Sequence, residues 1–97
     1  MTSKLIKLAE IREAPTRYGS QKKFSIGEIF INPAFVSFLR EDLSYKKYLK
    51  TSQSWPPDLN EDVGLTRIYF GDSFDLNSAC VLGEIIDVAT KLGVQNE

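Results

Sequence analysis

Between Phe24 and Ile31 (FSIGEIFI) and again between Gly64 and Phe70 (GLTRIYF), apolar and branched residues fall at every second position. A period of two sends successive side chains to opposite faces, so both stretches read as β-strands. In the second, Leu65, Arg67 and Tyr69 share one face, and Thr66, Ile68 and Phe70 share the other. Gly27 interrupts the first, where a glycine reads as a bulge or sharp bend. Lys4 to Arg12 (KLIKLAEIR) reads as an edge or second-layer strand, with Ile6 and Leu8 on one side and Leu5 and Ile11 available to the other; a helix is the competing reading. Asn32-Pro33 initiates a turn. Phe35 to Arg40 (FVSFLR) then continues as a strand in which Val36 and Phe38 alternate with Phe35, Ser37 and Leu39.

The period lengthens at Glu41 to Lys50 (EDLSYKKYLK), where Asp42 or Ser44 can cap a short helix. Tyr45, Tyr48 and Leu49 then lie together, and Lys46, Lys47 and Lys50 face water. A second helix is expected from Asn77 or Ser78 as N-cap, because Ala79, Leu82, Ile85, Ile86, Ala89 and Leu92 recur at helical spacing. It ends at Lys91 and Gly93, with Val94 placed to supply the apolar contact of the helix stop. Turn chemistry fills the rest. Pro15 to Lys23 (PTRYGSQKK) reads as an exposed hairpin loop, and Thr51 to Asp62, with Trp55-Pro56-Pro57, as a loop that continues neither neighbour. Gly71-Asp72-Ser73 reads as a hairpin turn leading to a short returning strand, Phe74 to Leu76. The expected fold is α+β: a mainly antiparallel sheet of about five strands, a C-terminal helix packed on one face and a short helix near residues 42–50. The 97 residues are expected to form a single domain.

Missing residue types exclude more chemistry than present ones suggest. The chain has no histidine and one cysteine, Cys80, so within one copy there is no Cys/His zinc site, no nucleophile–histidine pair and no disulfide. A lone thiol fits a reducing compartment, and no apolar run approaches the ~18 residues of a membrane span, so a cytoplasmic protein with no membrane partner is expected. No phosphate-cradling glycine motif occurs, and no cofactor or metal is expected. Charge is unevenly spread: residues 1–50 carry ten Lys or Arg against five Asp or Glu, and residues 51–97 carry two against eight. Such a chain either solvates both faces or presents complementary surfaces suited to association with another copy.

Four groups of side chains are candidates for a role. Arg17, Tyr18, Lys22 and Lys23, together with Tyr45, Lys46 and Lys47, combine cations with stackable rings, which suits an anionic small molecule, a nucleotide or an acidic protein surface, although solvated faces are the simpler explanation. Arg67, mid-strand, either marks a sheet edge and discourages aggregation, is paired with a carboxylate across the sheet, or grips a ligand. Trp55 and Tyr48 are aromatic anchors for a protein interface, although Trp55 also suits a plug folded back on the domain. Cys80 reads as a packing cysteine in the first turn of the last helix. Asp72 and Asp75 read as turn residues, and Glu61 and Asp62 as parts of a solvated loop. Nucleic acid is disfavoured by a sequence pI near 5.5.

The order Phe30 to Arg40 (FINPAFVSFLR), Thr66 to Leu76 (TRIYFGDSFDL) and a following helix resembles the small flagellar proteins called FlbD or SwrD. The resemblance covers residues 24–92 and is interrupted by an insertion from about Glu41 to Val63. It implies a strand, an Asn-Pro corner, a strand, a Thr-x-Ile hairpin and a short amphipathic helix, and a non-enzymatic accessory role without an active site. Compact regulatory proteins encoded by phages have a similar build. The expected function is therefore that of a small non-enzymatic regulatory or accessory protein that binds another protein or itself as a homo-oligomer. The alternatives are a protein that sequesters a nucleotide or other anionic small molecule, and a nucleic-acid module.

Overall fold

A computed structural model describes residues 5–14, 23–71 and 77–93. Five strands and two helices alternate along the chain: β1 (Ile6–Ala14), β2 (Lys23–Ile31), β3 (Val36–Glu41), α1 (Leu43–Thr51), β4 (Leu65–Phe70), β5 (Asn77–Leu82) and α2 (Ile85–Leu92). All strand pairs are antiparallel, and the sheet order is β2-β1-β5-β4-β3. The α+β architecture expected from the period changes is the one observed. β1 is an interior strand between β2 and β5, not an edge, which explains why both its faces carry apolar groups.

β2 and β3 are the two edges, yet only residues 32–35 join them. In a flat sheet they would stand about 19 Å apart, four spacings of ~4.8 Å. Three of the joining residues, Pro33–Phe35, form a 3₁₀ turn that Asn32 caps by accepting the Ala34 N–H at 3.0 Å. With ~2 Å of rise per residue in that turn, the connection spans roughly 14 Å. The sheet has to curl for its edges to be joined this way. Its inner face accordingly gathers Leu8, Ile31, Ile68 and Val81 with Val88 and Leu92 of α2, and Ile29 from one edge and Leu39 from the other pack on the same cluster. The outer face carries a second cluster, Ile11, Leu65 and Cys80, covered by Leu49 of α1 and by Trp55, Leu59 and Val63 of the following segment.

Three local expectations change. The C-terminal helix starts at Ile85, not after Asn77 or Ser78, because residues 77–82 form β5. Ala79, Cys80 and Val81 are apolar in succession since this strand is flanked on both sides and buried on both faces, a pattern that mimics helical spacing over a short run. Gly83, at φ 126°, then turns the chain into α2 in a conformation closed to other residues. Gly27 makes no bulge: the β1–β2 register runs unbroken from Ile6↔Ile31 to Ala14↔Lys23. It is a clearance site instead, because a Cβ there would stand 2.5 Å from the Arg12 guanidinium, which crosses the strand to donate to the Glu28 carbonyl at 3.1 Å. The irregularity lies in β3, between Val36 and Phe38, so Ser37 is the extra residue and Val36 and Leu39, not Val36 and Phe38, face inward together. Ser37 donates its hydroxyl hydrogen to the Gly71 carbonyl across this bulge. The expected turn at Asp72-Ser73, the strand Phe74 to Leu76 and the contact of Val94 fall outside the described residues.

Candidate functional site

α1 is held to the outer face by one polar junction. Asp42 caps it by accepting the Tyr45 N–H through Oδ1 at 3.3 Å, and its Oδ2 accepts Arg67 Nε–H at 2.6 Å. The Arg67 guanidinium lies over the Tyr45 ring, 5.0 Å from its centroid, and Nη1 reaches Ser78 Oγ at 3.4 Å. The carboxylate partner expected for Arg67 therefore comes from a helix cap rather than from a neighbouring strand. Cys80, directly opposite Arg67 on β5, is buried beneath this junction. Burial raises its thiol to about 12; Arg67 pulls the other way, and the Asp42 carboxylate, to which the thiol donates, adds to the rise. Burial likewise pushes the Tyr45 phenol up to about 12. A thiol that burial holds protonated, even while it donates to a carboxylate, is a packing group, and its position in a strand removes the helix N-terminus that would have activated it.

Tyr45 and Tyr48 stack at 6.3 Å, and Phe24, at the start of β2, meets both rings edge-on at 5.9 and 6.3 Å. The aromatic side of α1 thus stands against the end of the β1–β2 hairpin, from which residues 15–22 depart. Arg17, Tyr18 and Lys22 fall outside the described residues; Lys23 opens β2 opposite Ala14. Lys46 and Lys47 lie on the far side of α1, away from this aromatic group, beside Leu43, Lys50 and Thr51. Trp55 is folded back: it packs on the outer cluster, its indole N–H donates to the Leu59 carbonyl at 2.7 Å, and Lys50 Nζ lies 5.8 Å from its ring centroid. Tyr48 remains 43% exposed.

Two features escaped the sequence reading. On the outer face, Phe38 and Tyr69 stack at 4.4 Å and the Arg40 guanidinium lies 5.2 Å above Phe38. A groove of about 870 Å³ runs between the β3 edge and α2, and Phe38 reaches it from the outer face. Val36, Leu39, Ile85, Ile86 and Ala89 line it, with Ser37 and Thr90 as its polar atoms and no ionisable side chain. Ile86 and Phe38 on its walls are 62% and 38% exposed. Ile86 shares a helical spacing with Ala79 and Leu82 in the sequence, but those two lie in β5, and α2 turns Ile86 outward. Asp72 and Asp75 fall outside the described residues, and among the described residues no cluster of three or more His, Cys, Asp or Glu could hold a metal ion. No described helix is long and apolar enough to cross a membrane. Comparison with family models, curated proteins and solved structures finds no match.

Proposed function

We propose that this is a non-enzymatic accessory protein that works by holding an apolar segment of another polypeptide in the groove between β3 and α2. The observation that carries this reading is the groove itself. It is sized for several side chains, lined without a charge, and includes two large apolar residues, Phe38 and Ile86, that a small domain gains nothing by exposing. An anion has nothing to pair with there. A polypeptide offering Leu-, Ile- or Phe-type side chains removes Phe38 and Ile86 from water, and a second copy of the chain is one such polypeptide. The accessory role implied by the flagellar resemblance supports the same class of function.

The test is a selection from a displayed library of random peptides against the immobilised full chain, with binders compared by calorimetry on wild type and Ile86→Glu. Ile86 is exposed, so the variant is expected to fold normally while losing at least tenfold in peptide affinity. Apolar peptides that bind both proteins equally, or a selection that yields none, would reject the groove as the working surface.

A further inference from the structure

β3 is an edge strand, and no described strand pairs with its free side. The Asp42 N–H donates to the Leu65 carbonyl, so Asp42 turns its backbone toward β4. By the alternation of an antiparallel ladder Arg40 does the same, while Leu39 and Glu41 point their N–H and C=O groups away from β4. This free edge borders the apolar groove, whose lining Leu39 shares with Ile85 and Ile86 of α2. The hydroxyls of the groove are already committed: Ser37 donates to the Gly71 carbonyl, and Thr90 to the Ile86 carbonyl at 2.8 Å. A partner that covered the groove without reaching the β3 backbone would strip water from unpaired donors and acceptors and put nothing in its place. A helical segment, which satisfies its own backbone, has that defect. An extended segment laid along the edge does not. Its backbone exchanges hydrogen bonds with Leu39 and Glu41, and every second side chain enters the groove beside Leu39.

The end of the edge carries charge. Glu41 follows Leu39 on the same face by strand alternation, and a small hollow there brings Glu41 together with Glu84, the N-cap residue of α2. Both are exposed, and Lys46, which lines the same hollow, forms an ion pair with neither. The third carboxylate of the hollow, Asp42, is taken by Arg67. We infer that β3 receives a sixth strand from its partner: an extended peptide with apolar residues at alternate positions and a lysine or arginine where it passes Glu41 and Glu84. This rests on the groove reading above and adds the partner's conformation and charge. Opposite charges on neighbouring strands favour that register, and the charges of Arg40 and Glu41 and the bulge at Ser37 guard the open edge against indiscriminate pairing.

The probes are two hexapeptides of alternating Thr and Ile, one beginning and one ending with Lys, which cover both strand directions and are too short for a stable helix. Binding to the full chain is measured by calorimetry, and amide hydrogen exchange is followed by NMR. At least one hexapeptide is expected to bind and to slow exchange of the Leu39 and Glu41 amides at least tenfold. Glu in place of its Lys is expected to weaken binding at least fivefold. Glu41→Gln combined with Glu84→Gln, both at exposed positions, is expected to fold normally and to erase that difference. Unchanged exchange at Leu39 and Glu41 in a saturated complex overturns the added strand, as does no binding of either hexapeptide up to about 1 mM. If library peptides still bind in an Ile86-dependent way, the groove reading survives that failure; if they do not, both fall. Equal affinity for the Lys and Glu peptides overturns the charged end.

Discussion

Replacing Asp42 separates the two things that hold α1. Asn is as good an N-cap as Asp, so Asp42→Asn keeps the bond to the Tyr45 N–H and removes only the charge beside Arg67, whereas Asp42→Ala removes both. The ion pair is mostly shielded, with 23% of the Arg67 side chain and 13% of the Asp42 side chain exposed. Leaving one member of a fully buried pair alone costs about 3–5 kcal/mol, and the residual exposure here reduces that to about 2 kcal/mol. Losing the cap adds about 1 kcal/mol. Asp42→Asn is therefore expected to lower the melting temperature by roughly 10 °C and Asp42→Ala by roughly 15 °C, at 4–8 °C per kcal/mol for a domain of this size. Urea unfolding followed by Trp55 fluorescence provides the free energies, because the sole tryptophan packs on the cluster that α1 covers. Combining Asp42→Asn with Arg67→Met then removes both charges, and the double variant is expected to cost at least about 1.5 kcal/mol less than the two single changes together. Additivity within about 0.5 kcal/mol would refute the junction. Equal losses for Asn and Ala would show that the cap contributes nothing.

Leu49, fully buried in the middle of α1, is expected to cost about 2–5 kcal/mol on change to Ala, measured by the same unfolding assay. The glycines should separate sharply in thermal melts. Gly83→Ala forces a side chain into φ 126° with its Cβ 3.3 Å from Val88, costing about 1–3 kcal/mol, whereas Gly27→Ala merely displaces the flexible end of Arg12 and should change stability by under about 1 kcal/mol. At alkaline pH the raised Cys80 and Tyr45 groups act in one direction. Their folded forms hold protons that the unfolded chain releases above pH 9 and 10, so stability is intact below those values and falls as pH rises toward 12. Cys80→Ala should flatten the part of that fall that begins near pH 9, as read by urea midpoints from pH 8 to 11.

The sheet was legible where one residue type served one role. Leu65 to Phe70 alternates because β4 has a buried face and a half-covered one, and Asp42 announces α1 because a cap is a local interaction. What local pattern hides is decided by distant strands. β5 reads as helix until it is known to lie between β1 and β4, where both faces are covered and alternation is no longer required. The bulge at Ser37 shows only in the pairing with β4, Val36 with Phe70 and Phe38 with Tyr69, so the facing of Phe38 could not be read from FVSFLR alone. The same holds for the site. Arg67 was visible as an anomaly within an apolar strand, but the groove exists only because α2 begins at Ile85 and leaves Ile86 facing out.

The central claim, that the face between β3 and α2 holds another polypeptide, is tested most directly by placing a photo-crosslinking amino acid at Ile86 in the protein expressed in its own host. Lys47, on the far side of α1, provides the control position. Illumination followed by mass spectrometry should yield polypeptide adducts, from a partner or a second copy, at position 86 and not at position 47. Adducts at position 47 with none at position 86 would contradict the account.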